Sequence, residues 1–212
     1  MSTPSSDDEF DAPIPRFASR GKAFVYVLPC RDRDLVKVGF ARDPLKRFMD
    51  LHRRFHAFFD LDRGLLVAVD TVAQARAIER TLLTRFTDAR ANAPLEVREV
   101  AAGKTEWYAG IDPQVTREAE ALAAEGGHEV IAPLRNWLGK RLEENADRAY
   151  DWAARLYEAI AEAHAYGARP ERAEAALAQT IERYEAVGIR ARGFLPDDVV
   201  AWYESHYQLL QH

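Results

Sequence analysis

Apolar residues recur along this chain with two different periods, and the change from one to the other outlines its parts. Residues 23–28, "AFVYVL", and 35–40, "LVKVGF", are short runs rich in β-branched and aromatic residues. They are separated by "PCRDRD" and read as an antiparallel hairpin. Alternation puts Phe24, Tyr26 and Leu28 on one face of the first strand and Leu35, Lys37 and Gly39 on one face of the second. A glycine inside such a strand marks a bulge or a close backbone approach. In "ARDPLKRFMDLHRRFHAFF" the spacing becomes helical, with Asp43 as N-cap, Pro44 at the first helical position, and Leu45, Phe48, Met49 and Phe55 on the apolar side. Residues 64–70, "GLLVAVD", form an uninterrupted apolar run, as expected of a strand inside a sheet. Thr71 and Gln74 then form a capping box ahead of another helix, and "GKTEWYAG", 103–110, predicts a turn and a short closing strand.

Beyond residue 110 the pattern is almost wholly helical. Asp112 and Pro113 repeat the N-cap and proline grammar, and helices are expected over 115–124, over 131–166 with a break near Asn145, over 171–187 and over 196–210. Tyr150, Trp152, Leu156, Tyr157 and Ile160 supply one apolar stripe, and Ala176, Ile181, Tyr184 and Val187 another. The expected class is therefore α+β: a small antiparallel three-stranded sheet flanked by helices over 21–110, then an all-α helical domain over 111–212. Residues 1–20 mix Ser, Pro and Asp with few large apolar side chains and read as a flexible arm.

Composition narrows the class. Of 212 residues, 48% are hydrophobic and 30% charged, the balance of a globular protein able to bury a core. One cysteine, Cys30, excludes an intrachain disulfide framework and a thiolate metal cluster and fits a reducing, cytoplasmic setting. No run approaches the roughly 18 apolar residues of a membrane span, so no membrane partner is expected. The net charge of −5 is unevenly spread: −2 over 1–20, +4 over 21–110 and −7 over 111–212. That asymmetry has the middle segment facing a polyanion and the acidic helical segment doing something else, such as binding a partner protein, self-associating or restricting access to a site.

Three side chains stand out chemically. Around Glu79, helical neighbours Val72, Ala75, Leu82, Leu83 and Phe86 are all apolar, so its carboxylate falls on the face expected to be buried. It requires an arginine, a metal ion or the edge of a cleft, which leaves a structural ion pair and a metal ligand or general base both open. Arg47 lies one turn into a helix that starts just after the Gly39 strand, where backbone N–H groups and a guanidinium make a phosphate cradle, or simply a solvated arginine. Tyr26 is either a core tyrosine or a catalytic acid or base. His52 and His56, at i and i+4, read as a solvated pair among arginines rather than as shared metal ligands. Arg42, Lys46, Arg53 and Arg54 form either a solvated helix face or a track for a nucleic-acid backbone.

The order of these residues carries a resemblance. Phe24-Val25-Tyr26 is followed after ten residues by Lys37-Val38-Gly39, then by Arg47 eight residues after Gly39, then by a glutamate in the next helix. Over residues 22–110 this resembles the GIY-YIG nuclease superfamily, and "VKVGFARDPLKR", "AIERTLLTRF" and "EWY" look like its phage-type branch, in which "vKIG" precedes "dP..R". The resemblance implies a metal-dependent endonuclease that hydrolyses phosphodiester bonds in DNA. In that scheme Glu79 binds a single Mg²⁺ or Mn²⁺, Tyr26 helps activate the attacking water, and Arg47 stabilises charge on the scissile phosphate. Lys37, beside Tyr26 in the hairpin, supplies further stabilisation, an inference from its position. His52 ranks below these: relatives carry a histidine four residues after the arginine, and here it stands five after, about 100° round the helix. The alternative is a non-catalytic nucleic-acid-binding or protein-interaction module on the same fold.

Overall fold

The computed structural model describes residues 21–97 and 106–206. The arm at 1–20 and the expected turn at 103–105 lie outside them. The described residues form two compact units, one ending at Leu138 and the other beginning at Gly139.

The first unit is built on an antiparallel sheet of strands β1 (Ala23–Pro29), β2 (Leu35–Ala41), β3 (Leu65–Val69), β4 (Trp107–Ala109) and β5 (Glu129–Ile131), in the order β4-β2-β1-β3-β5. The sheet therefore has five strands rather than the expected three. The strand with no counterpart in the sequence reading is β5, an edge strand that lies in a stretch expected to be loop and helix and pairs with β3 through three residues. A segment this short carries too little alternation to show its period.

Side chains divide cleanly between the two faces of the sheet. On one, Val25, Val27, Val36, Val38, Leu65 and Val67 pack against Ala75, Ile78 and Leu82 of α3 (Val72–Arg85) and Val115, Ala119 and Ala123 of α4 (Asp112–Gly126). Full burial of each such valine or leucine side chain stabilises the fold by about 1.5–3 kcal/mol. The other face carries Phe24, Tyr26, Leu28 and Lys37, with Phe48, Phe55 and Phe59 and the ring of Trp107 among its buried aromatic neighbours.

The helix expected from Pro44 breaks in two. α1 (Pro44–Leu51) ends at His52, whose backbone is extended, and α2 (Phe55–Phe58) restarts the turn. Asp43 caps α1 by accepting from the Lys46 N–H at 3.1 Å, and the Thr71–Gln74 capping box opens α3 as expected.

The second unit is helical. α5 (Leu134–Glu143) ends in it, followed by α6 (Ala146–Ala165), α7 (Glu171–Glu185) and α8 (Asp197–His206). Asn145 ends the expected long helix where anticipated, at the N-cap of α6. The buried stripe of α6 is Ala149, Ala153, Leu156 and Ile160 rather than one led by Tyr150, which is exposed. α6 and α7 pack against one another, and the larger aromatic Tyr150 turns outward. Tyr184 of α7 stacks on Phe194 at 4.0 Å and donates to the Leu142 carbonyl at 3.2 Å. No helix among the described residues is long and apolar enough to cross a membrane.

Candidate functional site

Tyr26, Lys37 and Arg47 lie together on one face of the β1–β2 hairpin, and Glu79 of α3 comes within electrostatic reach of all three. Strand β4 pairs only with Leu35, Val36 and Lys37 of β2. Among the described residues, β2 beyond Lys37 keeps one backbone tie on that side, from the Val38 N–H to the Glu106 carbonyl at 2.9 Å. Side chains from both faces of the sheet converge there.

Tyr26 is 1% exposed and lies opposite Gly39 in the β1–β2 register. A Cβ at position 39 would sit 2.5 Å from the tyrosine Cζ, so the close approach read from the sequence is the ring of Tyr26 crossing a strand with no side chain. Phe48 of α1 supports that ring edge-on at 5.6 Å. One turn into the same helix, Arg47 donates from Nε to the Tyr26 hydroxyl oxygen at 3.3 Å. Burial pushes the phenol up to about 12; the carboxylates of Glu106 and Glu79 add to this and Arg47 opposes it.

Lys37 has no exposure at all. Its ammonium pairs with the Glu106 carboxylate and lies 5.5 Å from the centre of the Trp107 ring. Burial lowers its pKa to about 8, against the pull of Glu106. Glu79 is half-buried rather than central in a dry face. The fully packed stripe of α3 runs through Ala75, Ile78 and Leu82, and Glu79 is one residue, some 100°, round from Ile78. Burial and the nearby Glu106 carboxylate push its carboxyl up to about 7, partly offset by Lys37, Arg76 and Arg47. Among the described residues no ion pair holds it.

The arrangement is a phenol, two carboxylates and the cations Lys37, Arg47 and Arg76 within electrostatic reach of Glu79. The half-buried Glu79 carboxylate, pushed toward neutrality, fits a divalent cation, whose charge would relieve it. No cluster of three or more His, Cys, Asp or Glu occurs among the described residues.

His52 is not brought to this edge. Its ring stacks on Phe58 at 4.6 Å, its Nδ1 accepts from the Arg54 N–H at 3.2 Å, and it lines a depression of about 270 Å³ with Cys30, Arg33, Arg54 and Phe58. Burial lowers its pKa. His56 departs from the solvated reading as well: it is 4% exposed, because α2 turns it inward beside Phe55. The basic residues also separate. Arg42 and Lys46 are exposed at the start of α1, where Lys46 pairs with Asp50 at 3.3 Å, while Arg53 and Arg54 are exposed at its far end with His52.

Glu106 and Arg76 were not singled out in the sequence. Arg76 stands one turn before Glu79, a spacing open to inspection. Glu106 precedes a three-residue strand, and only the β2–β4 register brings it to Lys37.

The comparisons with known proteins correct the family resemblance. No curated protein and no solved structure matches the chain. Its similarity is to a different family from the GIY-YIG nucleases: residues 23–123, from β1 into α4, match the model of the T5orf172 domain.

Proposed function

We propose that this chain is a divalent-metal-dependent endonuclease that hydrolyses phosphodiester bonds in DNA. The observation that carries the reading is the grouping of Tyr26, Lys37 and Arg47 on one face of the β1–β2 hairpin with Glu79 within electrostatic reach, the tyrosine hydroxyl already bonded to the arginine. The T5orf172-domain match and the positive balance of residues 21–110 support a nucleic-acid role.

Arg47 binds a non-bridging phosphate oxygen while keeping Tyr26 in place. With a pKa of about 12 the phenol keeps its proton at neutral pH. Its oxygen accepts from Arg47, so its O–H is left to donate to a substrate or water oxygen and orient it. Lys37 places a second positive charge beneath the site. Glu79 is the residue to hold Mg²⁺ or Mn²⁺, which when bound supplies Lewis-acid stabilisation of charge on the phosphate. Arg42 and Lys46 extend the positive surface along the strand being cut, and Arg53 and Arg54 serve a more distant stretch of backbone. The acidic helical unit serves a protein partner or self-association, and the lone buried thiol of Cys30 suits a cytoplasmic setting.

The test is cleavage of labelled single-stranded and duplex DNA with Mg²⁺, Mn²⁺ or chelator, comparing wild type with Glu79→Ala. Metal-dependent products from the wild type alone are expected. DNA binding without cleavage, indifferent to metal, would replace hydrolysis with a binding role.

A further inference from the structure

We infer that Glu106 is a positioning residue of this site, fixing the buried Lys37 ammonium beneath Tyr26 and Arg47 so that its charge meets the substrate from one place. The inference rests on the hydrolytic reading above.

A lysine side chain is long, flexible and strongly hydrated, so a lysine wholly removed from water is costly to keep charged and has many ways to point. Here both problems have one answer. Glu106 is tied at the sheet edge by its own backbone, whose carbonyl accepts from Val38 N–H at 2.9 Å, and the next residue, Trp107, is the register partner of Lys37. The carboxylate is thus launched from a fixed point and closes on the ammonium, while the buried Trp107 ring stands beside it. Other charged groups also face Lys37: Arg47 from α1 disfavours its charge and Glu79 from α3 favours it. Tyr26, on the same face of the paired strand, adds a neutral hydroxyl. Of these, Glu106 acts most strongly in keeping the lysine charged, through both its field and its hydrogen bond. An apolar residue at 37 would pack against the same neighbours without that cost, so the pair is best explained by what the ammonium does for the site. With one oxygen engaged by Lys37, Glu106 acts through the lysine rather than on substrate.

The experiment compares wild type, Glu106→Gln, Glu106→Asp, Lys37→Met and the double variant Glu106→Gln with Lys37→Met. Glu106→Gln is expected to lower kcat about tenfold with KM within about twofold, and Glu106→Asp to restore most of it. The double variant should be no slower than Lys37→Met alone, because Glu106 has nothing left to position. A double loss equal to the product of the single losses, or full turnover by Glu106→Gln, would overturn the inference. Nitrogen-15 NMR of lysine-labelled protein gives a readout independent of cleavage. A protected ammonium signal should be absent in Lys37→Met and broadened away in Glu106→Gln; its persistence in Glu106→Gln overturns the positioning role even if rates fall. Wild type that cleaves no DNA but shows the signal would refute the hydrolytic reading and leave the ion pair standing.

Discussion

Val38 and Lys37 are neighbours on β2 and neither is exposed, yet they belong to opposite kinds of interior. Val38 points into a layer made almost wholly of aliphatic side chains from β1, β3, α3 and α4. Lys37 points to the face of Tyr26 and Arg47, within electrostatic reach of the Glu106 and Glu79 carboxylates. The apolar face is stabilised by every group it buries. The other face carries Lys37, and Glu79 comes within its electrostatic reach from α3; the pKa values of both are displaced toward neutrality, which means that folding works against their charges. Equal burial therefore conceals two different uses of the sheet: one face holds the fold together and the other holds charged and polar groups against one another, the grouping on which the proposed nuclease reading rests.

Exchanging damage between the faces tests that division. The largest separation is expected from Arg47→Ala against Val38→Ala. Arg47→Ala should lower the cleavage rate about 100-fold or more with little loss of stability. Val38→Ala should cost about 1–3 kcal/mol in denaturant unfolding while leaving turnover per folded molecule unchanged. A large loss of rate in Val38→Ala at full folding would break the comparison.

Gly39→Ala should damage both properties at once. The added methyl meets the Tyr26 ring, so overpacking should cost about 1–3 kcal/mol and displace the hydroxyl from Arg47, reducing cleavage. Unfolding curves and rates measured on the same preparation check this, and an unchanged rate would remove Tyr26 from the working set.

A smaller effect is expected with pH. Glu79 has an ordinary carboxyl value of 4.5 and is raised to about 7 in the folded chain. The folded state therefore binds the proton more tightly, and stability present below about 4.5 is lost as pH rises toward 7. Partial exposure limits the loss to about 1 kcal/mol. Glu79→Gln should abolish this part of the slope. Millimolar Mg²⁺ should raise the melting temperature of the wild type above pH 7 and leave Glu79→Gln unaffected; an equal response in both would take the cation from Glu79.

The smallest effect belongs to His52→Ala. Its ring serves Phe58 and the backbone of Arg54, away from the Tyr26 edge, so cleavage should stay within about twofold of wild type. A loss comparable with that of Arg47→Ala would extend the site to the far end of α1.

Local chemistry made much of this legible in the sequence. The hairpin, the Asp43 and Thr71 caps and the run at 64–70 all follow from residues within a few positions of one another. Tyr26, Lys37 and Arg47 were legible as a set because strand alternation and one helix turn place them relative to a single hairpin. What eluded the sequence was non-local. Strand β5 exists because β3 offers it an edge, since three residues have no strand preference strong enough to stand alone. The burial of His56 depends on the break at His52, and the position of Glu79 depends on which stripe of α3 the sheet accepts. Glu106 lies 69 residues from Lys37, and their ion pair exists only because β4 adds to β2 in one register. Sequence by itself determined the periods, the caps and the residue types able to do chemistry, since these depend on backbone sterics and near neighbours. Tertiary structure alone decided which of those residues share an edge and which charge answers which, because long-range contacts form only where whole faces can be buried together.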